Sequence, residues 1–204
     1  MIVALVLSAG ESSRMGRPKA LLPIDGVRFI EKIVSTLKST NVGNIIVVLG
    51  HNADEMRQRI SDLPVTILIN HDYKLGQLSS LQAAIRHLES IGSPVDGILV
   101  HLVDHPYIDA KLVNLMIERF YETKKLIVVP RFQERRGHPV IFARALFAEL
   151  LAAGTDQGAK PVVHAHRKDT LEIDTDDQGV LIDIDTPEEY RTHVEKKMRA
   201  DLKR

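Results

Sequence analysis

The chain has 204 residues, 44% of them hydrophobic, and its 27 Lys+Arg balance 27 Asp+Glu to a formal net charge of zero. That length holds a core of ordinary size, and the balance excludes a nucleic-acid partner held by overall basicity. With no cysteine, it also excludes disulfides, thiolate nucleophiles, iron–sulfur clusters and cysteine-based zinc sites.

The first element is the apolar run Ile2 to Leu7, which has no basic stretch before it and is at the short end for a leader. It reads as a buried strand. No other run approaches the length of a membrane span, so the expectation is a soluble, cytoplasmic chain with no membrane partner. Asn44 to Gly50, Val65 to Asn70, Gly97 to Asp104 and Leu126 to Pro130 are likewise short and rich in valine and isoleucine. Such runs fit strands buried on both faces of a parallel sheet. Between them FIEKIVSTLKST, ADEMRQRI, LSSLQAAIRHLES and DAKLVNLMIERFYE repeat apolar residues at helical spacing. Strand–helix alternation of this kind predicts an α/β chain with a doubly wound, mostly parallel sheet.

After Pro130 the rhythm loosens. RFQERRGHPVIF reads as a loop leading into a short strand, ARALFAELLAA as a helix ending at Gly154, and TLEIDT and VLIDIDT as short strands. TPEEYRTHVEKKMRADLKR predicts a terminal helix with Thr186 as N-cap, Pro187 at its first position and Glu189 as the capping-box acid. Its basic end, EKKMRADLKR, reads as a solvated tail. No repeat or linker interrupts the chain, so residues 1–204 are read as one domain.

The chemistry gathers at strand ends, where doubly wound sheets bind ligands. The loop from Leu7 to Pro23 carries Gly10 and Gly16, which let the backbone turn tightly, with Arg14 as a planar fork and Lys19 as a compact charge for phosphate oxygens. Neither GxxxxGK[ST] nor GxGxxG is present, and a solvated polar loop is the competing reading. Asp104 ends an apolar strand before Pro106, where a carboxylate can hold a hard cation or simply cap a turn. Asp183 and Asp185 alternate along an extended segment and so share a face, although Asp185 also precedes a strongly capped helix. Gly76 followed by Ser79 and Ser80 is a helix-start signal with or without a ligand. His101 and His105 flank Asp104, and His164 and His166 alternate; they read as structural, not as zinc ligands.

L-S-A-G-E-S-S-R-M-G-R-P-K-A-L-L-P resembles the signature L-x-A-G-x-x-x-R-M-G-x-x-K-x-L-L-P of the sugar-nucleotide and cofactor nucleotidyltransferases. Within them it is most similar to the MobA-like group, especially the molybdenum-cofactor cytidylyltransferases. The likeness extends over nearly the whole chain: Asn70 to Leu81 is similar to a base-contacting segment, G-H-P at 137–139 to an acceptor-side element, and D-I-D-T-P-E-E-Y to the family's D-x-D-T-P element. Val103 and Thr155 stand where glycine is usual in the family.

The resemblance implies a Rossmann-like nucleotide-diphospho-sugar transferase fold. It implies that Leu7, Ser8, Ala9, Gly10, Arg14, Lys19, Asn70, Gly76 and Ser80 bind the nucleotide, with Arg14 and Lys19 catalytic at the phosphates. Asp104 and Asp185 would hold Mg2+, and Gly137, His138 and Pro139 would face the acceptor. The implied reaction moves CMP from CTP to the terminal phosphate of molybdopterin. A molybdenum hydroxylase or its maturation chaperone would be the onward partner. Ala9 stands where guanylyl-transferring relatives usually have a second glycine, which favours CTP over GTP. The rivals are a sugar or polyol phosphate as acceptor, and a non-catalytic carrier of nucleotide or finished cofactor.

Overall fold

Strand β1 (Ile2–Ser8) divides its side chains between two cores, because successive residues of a strand point to opposite faces. Ile2, Ala4 and Val6 enter one hydrophobic cluster, and Val3, Leu5 and Leu7 enter another. The computed structural model describes residues 1–195; the basic tail read as solvated helix, apart from Glu195, lies outside the described residues.

Along the chain follow β2 (Pro23–Ile24), β3 (Val27–Arg28), α1 (Phe29–Lys38), β4 (Ile45–Leu49), α2 (Ala53–Arg59), β5 (Thr66–Ile69) and α3 (Gln77–Ser90). Then come β6 (Gly97–Leu102), α4 (Ala110–Thr123), β7 (Ile127–Phe132), β8 (Arg135–Arg136) and β9 (Val140–Ala143). Next are α5 (Phe147–Ala152), α6 (Lys160–Ala165), β10 (Thr170–Asp174) and α7 (Pro187–Tyr190), and the described chain closes with a π-helical turn, Arg191–Glu195. The main sheet runs β10-β7-β9-β6-β1-β4-β5, with β8 added on β7; it is parallel except at β9, which pairs antiparallel with both β6 and β7, and at β8, which pairs antiparallel with β7. The doubly wound, mostly parallel α/β sheet expected from the sequence is therefore present.

Helix α1 buries Phe29, Ile30, Ile33, Val34 and Leu37, and α4 buries Leu112, Val113, Met116, Ile117 and Phe120. Both cover the Ile2–Ala4–Val6 face, while α3, α5 and α6 cover the other. The side chain of Asp109 starts α4 by accepting from the Leu112 amide at 2.8 Å.

Two local expectations are corrected, and one hairpin is added. VLIDIDT does not form a strand: Asp177 accepts from the Gly179 amide at 2.7 Å, winding Gln178–Leu181 into a 3-10 turn, and residues 182–186 pass on unpaired. The Arg-rich stretch after β7 is a hairpin to β8, turned by Gln133 and Glu134, both at positive φ. Those residue types carry none of the usual turn signal. The β2–β3 hairpin turns on Asp25-Gly26, also at positive φ, a signal that the sequence did carry.

Candidate active site

Strands β1 and β6 are neighbours, yet β1 leads to β4 on one side and β6 is flanked on the other by β9. The sheet order thus reverses between them, and the crevice beyond their carboxyl ends is the natural ligand position. A cleft of about 260 Å³ opens there. Of the nucleotide-site residues expected from the sequence, Leu7, Ser8, Ala9, Gly10, Lys19, Gly76 and Ser80 line it, as does Asp104. Asn70 does not: it is buried behind the wall, its side-chain amide donating to Ser79 Oγ at 2.9 Å and Ser80 Oγ at 3.0 Å. Gly10 departs from the turn role given to it, since the positive φ values of the loop fall at Ser12 and Gly16. A Cβ on Gly10 would meet nothing within 4 Å, so it contributes an open surface.

His51, Asn52, Met56 and Tyr73 complete the cleft and escaped the sequence reading. The available signal was the one that singled out Asp104: polar residues directly after a buried strand. Gly50 is what lets this wall close, because a Cβ there would fall 2.5 Å from Tyr73 Cβ and 2.7 Å from the Ala9 carbonyl oxygen.

The charged centre joins three distant segments. Lys19 Nζ donates to Asp104 Oδ2 at 3.0 Å and, in a second short contact, to Asp185 Oδ1. Arg14 holds Asp185 Oδ2 at 2.6 Å from a largely exposed position at the rim. Burial alone would lower the Lys19 pKa, but the charge of Asp104 and the bonds to both carboxylates outweigh it and raise it. Burial likewise pushes Asp185 up, and Lys19 and Arg14 reverse this to a net lowering. Lys19 is therefore a fixed cation, not a base.

Asp185 arrives because the unpaired 182–186 segment docks on β6's exit. The Ile184 amide donates to the Asp104 carbonyl at 2.9 Å, and the Ile184 side chain enters a small third core with Met15, Leu22, Phe29 and Tyr190. Glu189, in the capping box expected at Thr186, accepts from the Asp185 amide at 2.9 Å and the Thr186 amide at 2.8 Å. Asp183, by contrast, is exposed, and its charge acts on His105. Among the described residues no group of three or more His, Asp or Glu is arranged to hold a metal ion by itself.

A second, larger groove of about 1120 Å³ adjoins the cleft across Leu7, Gln77 and Leu102. Its floor is apolar, with Leu81, Val100, Val129, Val140 and Phe142, and its rim carries Arg136, Lys160 and His164. Gly137 and His138 line it, whereas Pro139, joined to His138 by a cis peptide, is buried and outside it. Gly137 has no room for a side chain: a Cβ would strike the Val180 carbonyl.

Between groove and cleft stand three histidines. His101 is fully buried, its pKa pushed down to about 3 by burial and then by His105 and His138. Burial and the neighbouring His105 bring His138 down to about 4, and burial lowers His105. All three are neutral imidazoles at neutral pH.

No helix among the described residues is long and apolar enough to cross a membrane. The family profile of the MobA-like NTP transferase domain matches residues 4–170. Nicotine blue oxidoreductase of Paenarthrobacter nicotinovorans is 30% identical over 201 residues, covering 93% of this chain and 95% of that protein. The purine catabolism protein PucB of Bacillus subtilis is 27% identical, over 93% and 94%. The molybdenum cofactor cytidylyltransferase of Escherichia coli is 24% identical, over 96% of each. Among solved structures, Rv0371c of Mycobacterium tuberculosis superposes with a TM-score of 0.83 at 28% identity, over 95% of this chain and 97% of that one, and has also been solved in complex with manganese. The chain belongs to the MobA-like NTP transferase family.

Proposed function

From membership in the MobA-like nucleotidyltransferases, we propose that this chain transfers CMP from CTP to the terminal phosphate of molybdopterin, releasing pyrophosphate, with Mg2+ as its divalent ion. Residues 1–204 would form a single nucleotidyltransferase domain. The observation that carries the reading is Lys19 held between Asp104 and Asp185 where a small polar cleft meets a large apolar groove.

The ammonium of Lys19 is a stand-in for a cation. It occupies the space between Asp104 Oδ2 and Asp185 Oδ1, and two carboxylates with substrate phosphates are the ligand set that Mg2+ takes. The manganese complex of Rv0371c supports a divalent ion at a site of this family. When bound, the ion would neutralise phosphate charge. With the carboxylates so occupied, Lys19 is free to turn to the phosphates, drawing together two anions that repel. Arg14, exposed and tethered to Asp185, would reach the departing pyrophosphate. The acceptor's phosphate oxygen forms the new bond to the α-phosphorus as the bond to pyrophosphate breaks. The attacking group is already an anion, so no protein base is required, in keeping with the raised pKa of Lys19.

The apolar floor of the groove suits the flat body of a pterin, and Lys160 in its lining suits a phosphate. The test is thermal unfolding with CTP, GTP, ATP and UTP, each with and without Mg2+, followed by pyrophosphate release with molybdopterin. A ligand at 100 times its Kd adds about 2.7 kcal/mol of stability. The expected result is a Mg2+-dependent shift largest with CTP, then release of pyrophosphate only when molybdopterin is added. Release with sugar or polyol phosphates alone would replace the acceptor. Nucleotide binding without release from any acceptor would replace the enzyme by a carrier.

A further inference from the structure

Among the described residues, the buried side-chain polar atoms that lack a hydrogen-bond partner are four, and they lie together: His101 Nδ1, Asp104 Oδ1, His105 Nδ1 and His138 Nδ1. A buried polar atom left unpaired is costly, so a concentration of four is not a product of packing alone. Contacts link three of these residues from the groove to the charged centre. His138 lines the groove, and its ring centroid is 4.9 Å from that of His105. The His105 ring follows Asp104 directly in the chain, and His105 Nε2 stands 4.0 Å from Asp104 Oδ1. On the far side His101 Nε2 donates to the His105 carbonyl at 2.8 Å; a carbonyl only accepts, so the proton sits on that nitrogen.

The separation of 4.0 Å is too long for a hydrogen bond and is closed by a small rotation of the carboxylate. What prevents that rotation is Lys19, which holds the other oxygen of Asp104 at 3.0 Å. We propose that His105 is a positioning residue for Asp104: once Lys19 leaves for the nucleotide, His105 takes up Oδ1 and aims Oδ2 at the divalent ion, with His101 holding its backbone carbonyl and His138 packing against its ring. Ligating carboxylates are held in this way by outer partners, whose loss commonly weakens metal binding by 10–100-fold. Because His138 is also a wall of the groove, a group bound there bears on the same ring. The inference rests on the reading of Asp104 as a metal ligand given above.

The test is a titration of the full chain with Mn2+ in the presence of CTP, free Mn2+ being read by electron paramagnetic resonance. His105→Phe keeps a ring and removes both nitrogens; it should weaken Mn2+ binding about 10-fold. His105→Gln restores an N–H near the same position and should return the affinity to within about threefold of the unaltered protein. His138→Ala, which releases the ring from the groove side, should fall between the two and is informative even if His105→Phe does not fold. Thermal unfolding without metal separates these effects from loss of structure, and the folded variants should unfold near the unaltered protein. Mn2+ binding unchanged in every folded variant, or an affinity not rescued by Gln, would overturn the positioning role while leaving the metal reading intact. If the unaltered protein with CTP binds no Mn2+, the metal reading itself falls and this role with it.

Discussion

The cleft and the groove share Leu7, Gln77 and Leu102 and are otherwise built on opposite terms. The cleft is small, and the charges beside it are already paired to one another: Lys19 to two carboxylates, Arg14 to one. The groove is about 1120 Å³ against about 260 Å³, with an apolar floor and its charged groups, Asp156, Lys160 and the Glu172-paired Arg136, around it. A site that handles multiply charged phosphates must hold its own charges in place beforehand, or it pays their reorganisation during the reaction. A surface that selects a flat body needs dry contact area and few directional groups. Chemistry and acceptor choice therefore occupy separable surfaces, and substitutions should be able to damage one without the other.

The largest effect expected on that division is at Lys19. Lys19→Ala should lower turnover by roughly 10²–10³ with a folded protein, as removal of other preorganised electrostatic groups does. Steady-state pyrophosphate release checks it, and turnover at the unaltered level would remove Lys19 from the mechanism. Next comes a matched pair of glycines. Gly50→Ala forces a methyl group against Tyr73 and the Ala9 carbonyl, and Gly137→Ala forces one against the Val180 carbonyl. Each should cost roughly 1–3 kcal/mol by overpacking. Calorimetric titration should find nucleotide affinity reduced mainly in Gly50→Ala and acceptor KM raised mainly in Gly137→Ala. Equal damage to both functions in both variants would show the two surfaces to be one.

The smallest effect concerns the histidines between them. His101 has a folded pKa of about 3 against an ordinary 6.5, so the unfolded chain binds the proton first as pH falls. Its contribution is intact above about pH 6.5 and is lost progressively toward the folded value; near pH 5.5 the loss is about 1.4 kcal/mol. His138, at about 4, acts in the same direction. Chemical denaturation across pH 7.5 to 5 should show stability falling, with a shallower fall in His101→Leu. An equally steep fall in that variant would assign the pH dependence to other groups.

Much of this was legible in the sequence because it depends on short-range pattern. The valine- and isoleucine-rich runs, the helical spacing between them and the capping box at Thr186 each lie within a dozen residues, and the structure bears out all three. Of the expected nucleotide-site residues, Leu7 to Gly10 at the exit of β1 reached the cleft, as did Lys19, Gly76 and Ser80 farther along the chain. Asn70 did not, because its amide is used up by Ser79 and Ser80, a competition that no spacing reveals.

The amino-acid order by itself determined the parallel sheet, the loop after β1 and the chemical types gathered there, since propensity and periodicity act locally. Tertiary structure alone decided the rest. It turned VLIDIDT from a strand into a docked segment, because the Ile184 amide found the Asp104 carbonyl and its side chain a small core. It brought Lys19 against Asp104 and Asp185, positions 85 and 166 residues away in the chain. It also brought the His105 ring to 6.4 Å from that of His101 and 4.9 Å from that of His138, centroid to centroid, because β6 and the turn before β9 run side by side. Contacts of that range are fixed by which strands pair and what covers them, and no local stretch of sequence carries that information.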